Sequence, residues 1–393
     1  MSAANARQVA GRTGEMAALT ELVVCSLEPW DDVWRRNQFF VDALLRRSAA
    51  VRVLFVEPPA DVLFELAQRR RPMTPGIRSL RIDGRLHALR PLKPLPRRFG
   101  PLADRVLQRR VVDVAQRLGF TSPTLWLNDV TYAPLIRRTG WPTVYDVTDD
   151  WLLAPFPPRE IDRLRALDAI ALAEAHGVVV CSPALAASRG AERNVTLVSN
   201  GVDREHFRRP RPRPRDLPPA PTAVYVGTLH DSRLDVDLLI ELARSLTEVS
   251  VVLVGPDALR TASRHRLKAL PNIHVLGSRP YADVPAYFQH ADVVLVPHRV
   301  TAFTESLDPI KAYECLAVDV PVVATPVAGF RELAAYLAVV PGESFAAAVQ
   351  AVLAAPPIRP DPGEPPTWDE RAQAFELVLT RACASAAKAP TSD

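Results

Sequence analysis

Between residues 208 and 221 the chain reads Arg208-Arg209-Pro210-Arg211-Pro212-Arg213-Pro214-Arg215-Asp216-Leu217-Pro218-Pro219-Ala220-Pro221. Proline fixes φ and removes a backbone donor, so this stretch excludes helix and central strand and predicts an extended, semi-rigid linker. It divides 393 residues, enough for two full cores, into two parts with one shared pattern. Before the linker, apolar runs at Leu22–Ser26, Val51–Val56, Thr124–Leu127, Thr143–Val147, Val178–Cys181 and Val195–Val198 predict strands, with weaker ones across Arg78–Leu95. Helical patterns at Trp34–Arg47, Pro101–Leu118 and Pro158–Glu174 lie among them. After the linker, strands are expected at Ala223–Val226, Val251–Val254, Ile273–Leu276, Val293–Val296 and Val322–Ala324, with helices at Val236–Leu246, Leu259–Leu270 and Val284–His290. Strands that are apolar throughout and separated by helices indicate parallel sheets covered on both faces. The expectation is therefore an α/β protein of two Rossmann-like domains with a cleft between them. The divisions fall at 1–207 (residues 1–20 without a fixed fold), 208–221, 222–354, and 355–393. The last part holds a second proline-rich stretch, Ala355–Pro366, and a final helix from Trp368 to about Ala386.

Composition narrows the compartment. The first 20 residues carry no apolar core like that of a signal peptide, and nowhere do about 18 apolar residues run unbroken, so a cytoplasmic location is expected. Cys25, Cys181, Cys315 and Cys383 show no metal or redox spacing. The net charge of +4 is uneven: between Arg35 and Arg117 lie 19 basic and 7 acidic residues, a net +12 that includes Arg69-Arg70-Arg71 and Arg97-Arg98. Such a stretch fits either a solvated arginine-rich face or peripheral contact with an anionic inner-membrane surface or anionic acceptor. Nucleic acid is not an expected partner, because no basic strand carries interleaved aromatics.

In open parallel sheets, ligands lie beyond the carboxyl ends of the strands. The residues just after strands therefore carry the chemistry. The stretch Thr304–Ala317 reads as a polar loop running into a helix, with Asp308 as N-cap and Pro309 at the first helical position. A helix N-terminus is a natural seat for phosphate. Lys311 stands at its mouth, one of only four lysines in a chain that otherwise uses arginine, and Glu314 lies on the same face. A surface Lys–Glu pair on a capped helix is the plain alternative. Gly227-Thr228-Leu229-His230-Asp231-Ser232-Arg233 follows a strand: the glycine permits close backbone approach, and the arginine can fork onto phosphate oxygens. His230 and His298 stand at strand ends. The chain contains no G-x-G-x-x-G or Walker loop.

On the other side, Asp146, Asp149 and Asp150 crowd one strand end, and such crowding raises carboxyl pKa values as a general base requires. One of the last two can instead cap the following helix. Asp235-Val236-Asp237 is read as helix N-terminal decoration rather than a metal site. Trp30-Asp31-Asp32-Val33-Trp34-Arg35-Arg36-Asn37-Gln38 offers Trp30, Trp34, Arg35 and Arg36 to stack on or bind a sugar or anionic acceptor, and Asn128 ends a neighbouring strand.

Together these residues resemble the GT-B glycosyltransferases of the large group that includes retaining family 4. The block Ser306–Ala317 with Pro321-Val322-Val323 is similar to that group's nucleotide-sugar signature, and Gly329-Phe330-Arg331-Glu332 to the turn after it. Asn200-Gly201-Val202-Asp203 with Phe207 resembles the segment leading into its second domain. Trp30–Gln38 with Val53–Pro59 is similar to a bacterial subset. The resemblance implies an acceptor domain followed by a nucleotide-sugar domain, and a final helix crossing back to the first. It implies that Glu314 binds the nucleotide ribose and that Lys311 and Arg233 bind the diphosphate. Gly277–Tyr281, including Arg279 and Tyr281, would hold the base. Ser306, Leu307, Asp308, Gly227, Thr228, His230 and His298 would complete the donor site. Retaining members carry two glutamates with seven residues between them. Ser306 replaces the first here, which leaves open an inverting displacement with Asp149 or Asp150 as base.

The expected activity is transfer of a sugar from a nucleotide-diphosphate sugar to an acceptor hydroxyl, without metal or cofactor. The acceptor class extends from a polysaccharide or lipid-linked envelope glycan to a small molecule. A nucleotide-sugar epimerase of the same architecture and an inactive nucleotide-sugar-binding protein are the alternatives.

Overall fold

The computed structural model describes residues 19–60, 74–81, 83–93, 100–191, 193–219, 221–318, 320–355 and 363–386. Arg69-Arg70-Arg71, Arg97-Arg98, residues 1–18 and most of the second proline-rich stretch lie outside them.

Two separate sheets form, one on each side of the linker. The first comprises β1 (Glu21–Cys25), β2 (Arg52–Val56), β3 (Gly76–Ser79), β4 (Leu86–Arg90), β5 (Thr124–Leu127), β6 (Thr143–Val147), β7 (Gly177–Val180) and β8 (Thr196–Leu197). Their order is β3-β4-β2-β1-β5-β6-β7-β8, parallel except where β3 pairs antiparallel with β4. The second comprises β9 (Thr222–Val226), β10 (Ser250–Val254), β11 (Ile273–Gly277), β12 (Val293–Val296), β13 (Val322–Ala324) and β14 (Ala338–Val339), in the parallel order β11-β10-β9-β12-β13-β14. Strands such as Thr143–Val147 and Thr222–Val226 are buried at every position, as two-sided helix cover requires.

The expected linker begins one residue late, because Arg208 ends a short helix, Arg204–Arg208, and its described part from Arg209 to Pro219 is a strap held to the second domain. Arg211 N–H donates to Gln289 Oε1 at 2.8 Å, the Tyr287 hydroxyl donates to Asp216 at 2.8 Å, and Leu217 is buried in the second core. The last helix, Trp368–Ala386, crosses back onto the first domain. Trp368 stacks on Phe39 at 4.4 Å, and Phe375 wedges between Trp126 and Phe40 at 4.5 and 5.1 Å. Aromatic faces of this size dominate packing energy, so the helix is part of the first core despite its place in the sequence.

The structure also differs from the sequence reading in places. Helices at Leu135–Thr139, Pro183–Gly190 and Phe345–Ala354 and strand β14 were not anticipated. The helix expected from Leu259 begins only at Thr261, because the N–H groups of Leu259 and Arg260 are bound by the carboxylates of Asp257 and Asp231. The helix expected from Trp34 begins at Arg36. Cys25, Cys181 and Cys315 are buried and Cys383 is half-buried, and none of the four is in a disulfide.

Both sheets reverse their winding direction beside a central strand, at β1/β5 and at β9/β12. The crevices beyond these two points face each other, and this sets the place of the site.

Candidate active site

Between the domains lies a cavity of about 430 Å³, lined by both carboxyl-end crevices. Gly227, Thr228, His230, Ser232, Arg233, His298, Phe303 and the run Leu307–Lys311 with Glu314 form the second-domain wall. Leu27, Glu28, Trp34, Arg35, Arg36, Asn37, Asn128, Thr148, Asp149 and Trp151 form the first-domain wall.

The second-domain wall is built around the helix Ile310–Ala317. Pro309 occupies its N-cap position at φ −73° and ψ 114°, and no side chain caps it. Asp308, expected as that cap, does other work. The residue before proline is held extended, and its carboxylate accepts from the Asn200 N–H and from the Tyr313 hydroxyl at 2.7 Å. Asp308 therefore ties the two domains and leaves the helix N-terminus open to the cleft. Burial, chiefly, raises its carboxyl. Lys311 Nζ lies 2.9 Å from Glu314 Oε2, so the pair expected on a plain surface helix does form. It stands on the cleft wall, with Glu314 buried.

Gly227 lets the loop after β9 lie against this helix. A Cβ there would come within 3.2 Å of Lys311 Cε and 2.8 Å of the Tyr225 hydroxyl. The loop carries Arg233 to the interdomain line, where Nη2 donates to Asp149 Oδ1 at 2.8 Å and the guanidinium lies over the Phe303 ring at 5.3 Å. His298 is buried next to these cations. Burial first, then Arg233 and Lys311, push its imidazole down to about 3, so it is neutral at ordinary pH. His230 is lowered for the same kinds of reason, and its Nδ1 is bonded to Ser232.

The first-domain wall sets carboxylates and amides beside two arginines and two tryptophans. Asn128, at the end of β5, accepts from Asn37 Nδ2 at 2.8 Å and donates to the Asp146 carbonyl at 3.1 Å. Arg36 is a structural residue at the floor. It forks onto buried Asp146 through two bonds of 3.1 Å, reaches Asn200 Oδ1 at 3.2 Å, and lies 4.5 Å above Phe40. Arg35 lines the cleft, with its Nε 3.5 Å from Glu28.

Five expected site residues do not line the cavity. Asp150 turns away: its carboxylate caps the turn at Leu152 N–H and pairs with Arg189 at 3.0 Å. Asp150 therefore caps the short helix Trp151–Leu153, and its side chain does not line the cavity. Ser306 is a seam residue, accepting from the Asp150 N–H and donating to the Phe303 carbonyl at 2.7 Å. Trp30 packs edge-on against Phe55 at 5.1 Å, beneath the loop. Arg279 is drawn outward by Asp216 of the linker and bonds the Tyr287 hydroxyl at 2.8 Å. Tyr281 is clasped between Trp34, Phe39 and His206, and its N–H donates to the Asp32 carbonyl across the domain boundary. Sequence reasoning placed Glu28, Asn37 and Trp151 in stretches just after strands without giving any of them a role, and passed over Phe303. Asp235 caps the helix Val236–Ser245 through the Leu238 N–H, as expected of a decorative carboxylate.

Similarity to known proteins agrees with this architecture. Residues 220–355 match the family model described as glycosyl transferases group 1. Over 135 residues, 33% of this chain and 34% of that protein, the sequence is 29% identical to TuaH of Bacillus subtilis, named as a teichuronic acid biosynthesis glycosyltransferase. The match thus spans about a third of that relative's length. Sucrose-phosphate synthase of Thermosynechococcus elongatus superposes with a TM-score of 0.67 at 18% identity, covering 93% of this chain and 96% of its own. HepE of Anabaena, solved with UDP and glucose, gives 0.61 at 17% identity over 95% and 100%. The catalytic domain of starch synthase IV of Arabidopsis thaliana, bound to ADP and acarbose, gives 0.62 at 11% over 94% and 100%. The chain has the GT-B fold, and residues 220–355 of its second domain are similar to the group 1 glycosyl transferases.

Proposed function

We propose that this protein moves a sugar from a nucleotide-diphosphate sugar to an acceptor hydroxyl in the interdomain cleft. The observation that carries the reading is the second-domain wall. Arg233, Lys311 and an uncapped helix N-terminus converge there on one cavity, beside Glu314. That set suits a departing diphosphate: fixed cations and backbone dipoles in a sheltered site stabilise charge that develops as the sugar–phosphate bond breaks. Glu314 faces the same space as a hydrogen-bond acceptor for ribose hydroxyls, and the loop at Gly227 allows close backbone approach. His298, held neutral, adds a polar contact without competing charge. The group 1 match covers this wall, and the solved relatives with UDP and glucose or with ADP share its fold.

Among the described residues no helix is long and apolar enough to cross a membrane. The first-domain helix Gly100–Arg117 exposes Leu102 and Val106 beside Arg105 and Arg109, which supports a lipid-linked or anionic acceptor approached at a membrane surface. A screen of UDP, GDP, ADP and their sugars by thermal shift tests the donor reading, since a ligand that binds only the folded form raises Tm. At least one nucleotide sugar should raise Tm and release nucleoside diphosphate on incubation with cell-envelope lipid extract. No shift with any of them contradicts the proposal.

A further inference from the structure

We propose that Glu28 is the catalytic group that receives the acceptor's proton, an assignment that rests on the transfer reading above. The carboxylates facing or bordering the cleft are otherwise committed. Asp149 holds Arg233 at 2.8 Å, Glu314 holds Lys311 at 2.9 Å, Asp308 binds Asn200 and Tyr313, and Asp146 is forked by Arg36. The Glu28 carboxyl makes only an ion contact, at 3.5 Å to Arg35 Nε, and takes part in no hydrogen bond among the described residues.

Its backbone, by contrast, is fixed. The Glu28 N–H donates to Ser26 Oγ at 3.0 Å, and Ser26 Oγ also accepts from Asn37 Nδ2 at 2.9 Å. Asn37 Nδ2 reaches Asn128 Oδ1 as well, and that oxygen accepts from the Leu27 N–H at 3.3 Å. This network ties the loop after β1 to the ends of β5 and β6, at the switch point. Asn37 is buried on the cleft wall, and its Oδ1 has no partner. A well-anchored loop thus presents to the cavity, from the wall opposite the diphosphate cradle, a carboxyl whose contact is the long ion pair with Arg35.

Four charged groups face Glu28: Arg35 and Asp31 from its own segment, Asp149 from the loop after β6, and Arg233 from the second domain. Desolvation at the cleft wall chiefly, and Asp149 and Asp31 in part, outweigh the two arginines and push the carboxyl up to about 7, although the side chain keeps 38% of its surface open to solvent, which tempers the shift. A carboxylate near neutrality is matched to take a proton at working pH. The step is a single displacement. The acceptor oxygen forms a bond to the anomeric carbon as its proton passes to Glu28. The bond from that carbon to the diphosphate oxygen breaks, and its electron pair leaves with the diphosphate. The product therefore has inverted configuration.

The test uses the full-length protein and whichever of UDP-glucose, GDP-mannose and ADP-glucose it hydrolyses fastest, with water in the acceptor's place. Wild-type kcat is expected to rise with pH and level off through a limb near 7. The β-anomer of the sugar should appear first by NMR. Glu28→Gln should lower kcat by about 100-fold or more, remove the limb, and leave binding of the matching nucleoside diphosphate within about twofold by calorimetry. Glu28→Asp should keep the limb at reduced rate. Comparable rates in wild type and Glu28→Gln, or first release of the α-anomer, overturn the assignment while leaving the transfer reading intact. Absence of turnover of all three donors by wild type contradicts the transfer reading and this assignment with it.

Discussion

The two walls of the cleft are built by the same kind of crevice, yet they carry opposite chemistry. The wall beyond β9/β12 presents Arg233, Lys311 and a bare helix N-terminus, while the wall beyond β1/β5 presents Glu28, Asp149 and buried amides. They also differ in how their charges are held. Arg36, at the floor of the first wall, is 4% exposed and forks onto an aspartate with no exposure at all. The Lys311 side chain keeps 21% of its surface, and Arg233 keeps 38%. Charge locked into a buried pair serves the fold, whereas charge left accessible on a wall is free to meet a ligand. The Arg233–Asp149 pair crosses between the walls, so a diphosphate that takes Arg233 must separate it from Asp149.

The sharpest way to break this contrast is on the first wall. Arg36→Ala strands Asp146 in the core and should destabilise the protein by about 3–5 kcal/mol in chemical unfolding. A loss below about 1 kcal/mol would mean that Arg36 is held for ligand rather than for fold. On the second wall the effect should move from stability to turnover. Lys311→Ala should cut kcat about 100-fold, the scale of losing one fixed donor to developing charge. Its unfolding free energy should change by less than about 1 kcal/mol, since a partly exposed pair contributes little. Asp149→Asn releases Arg233 and removes a competing anion. Nucleoside diphosphate should then bind about 3- to 10-fold more tightly by calorimetry at low salt, with the gain shrinking as salt rises.

A pH effect sharpens the same wall. The folded His298 refuses a proton until about pH 3, whereas the unfolded chain takes one up below about 6.5. Stability therefore falls as pH drops through that window, and His298→Gln should flatten part of the fall in thermal melts. The smallest effect is expected at Arg279→Ala, because this side chain is engaged by Asp216 outside the cleft. Nucleotide affinity should change by less than about twofold.

Much of this organisation was legible in the sequence, because it rests on local signals. Apolar strands, a proline strap and residues just past strand ends placed both sheets and most of the second wall, including Gly227, Arg233, His298, Lys311 and Glu314. What escaped depends on long-range partners. Asp149 and Asp150 are adjacent and chemically alike, and only Arg189 and the turn at Leu152 decide which of them leaves the cleft. Arg279 reads as a ligand contact until the linker's Asp216 is seen beside it. Asp308 satisfies every local rule for an N-cap, but proline geometry and Asn200 of the other domain redirect it. Glu28 lies three residues after Cys25, the last residue of β1, within a stretch already marked by position. Nothing local distinguishes its carboxyl from those of Asp31 and Asp32.

The most direct measurement is a crystal structure with a bound nucleoside diphosphate, UDP first. The two phosphates are predicted between the Arg233 guanidinium, Lys311 Nζ and the N–H groups that open the helix at Ile310, with Asp149 no longer paired to Arg233. Phosphates found against the first-domain wall, or anywhere that leaves Lys311 on Glu314 and Arg233 on Asp149, would contradict the division of labour between the two walls.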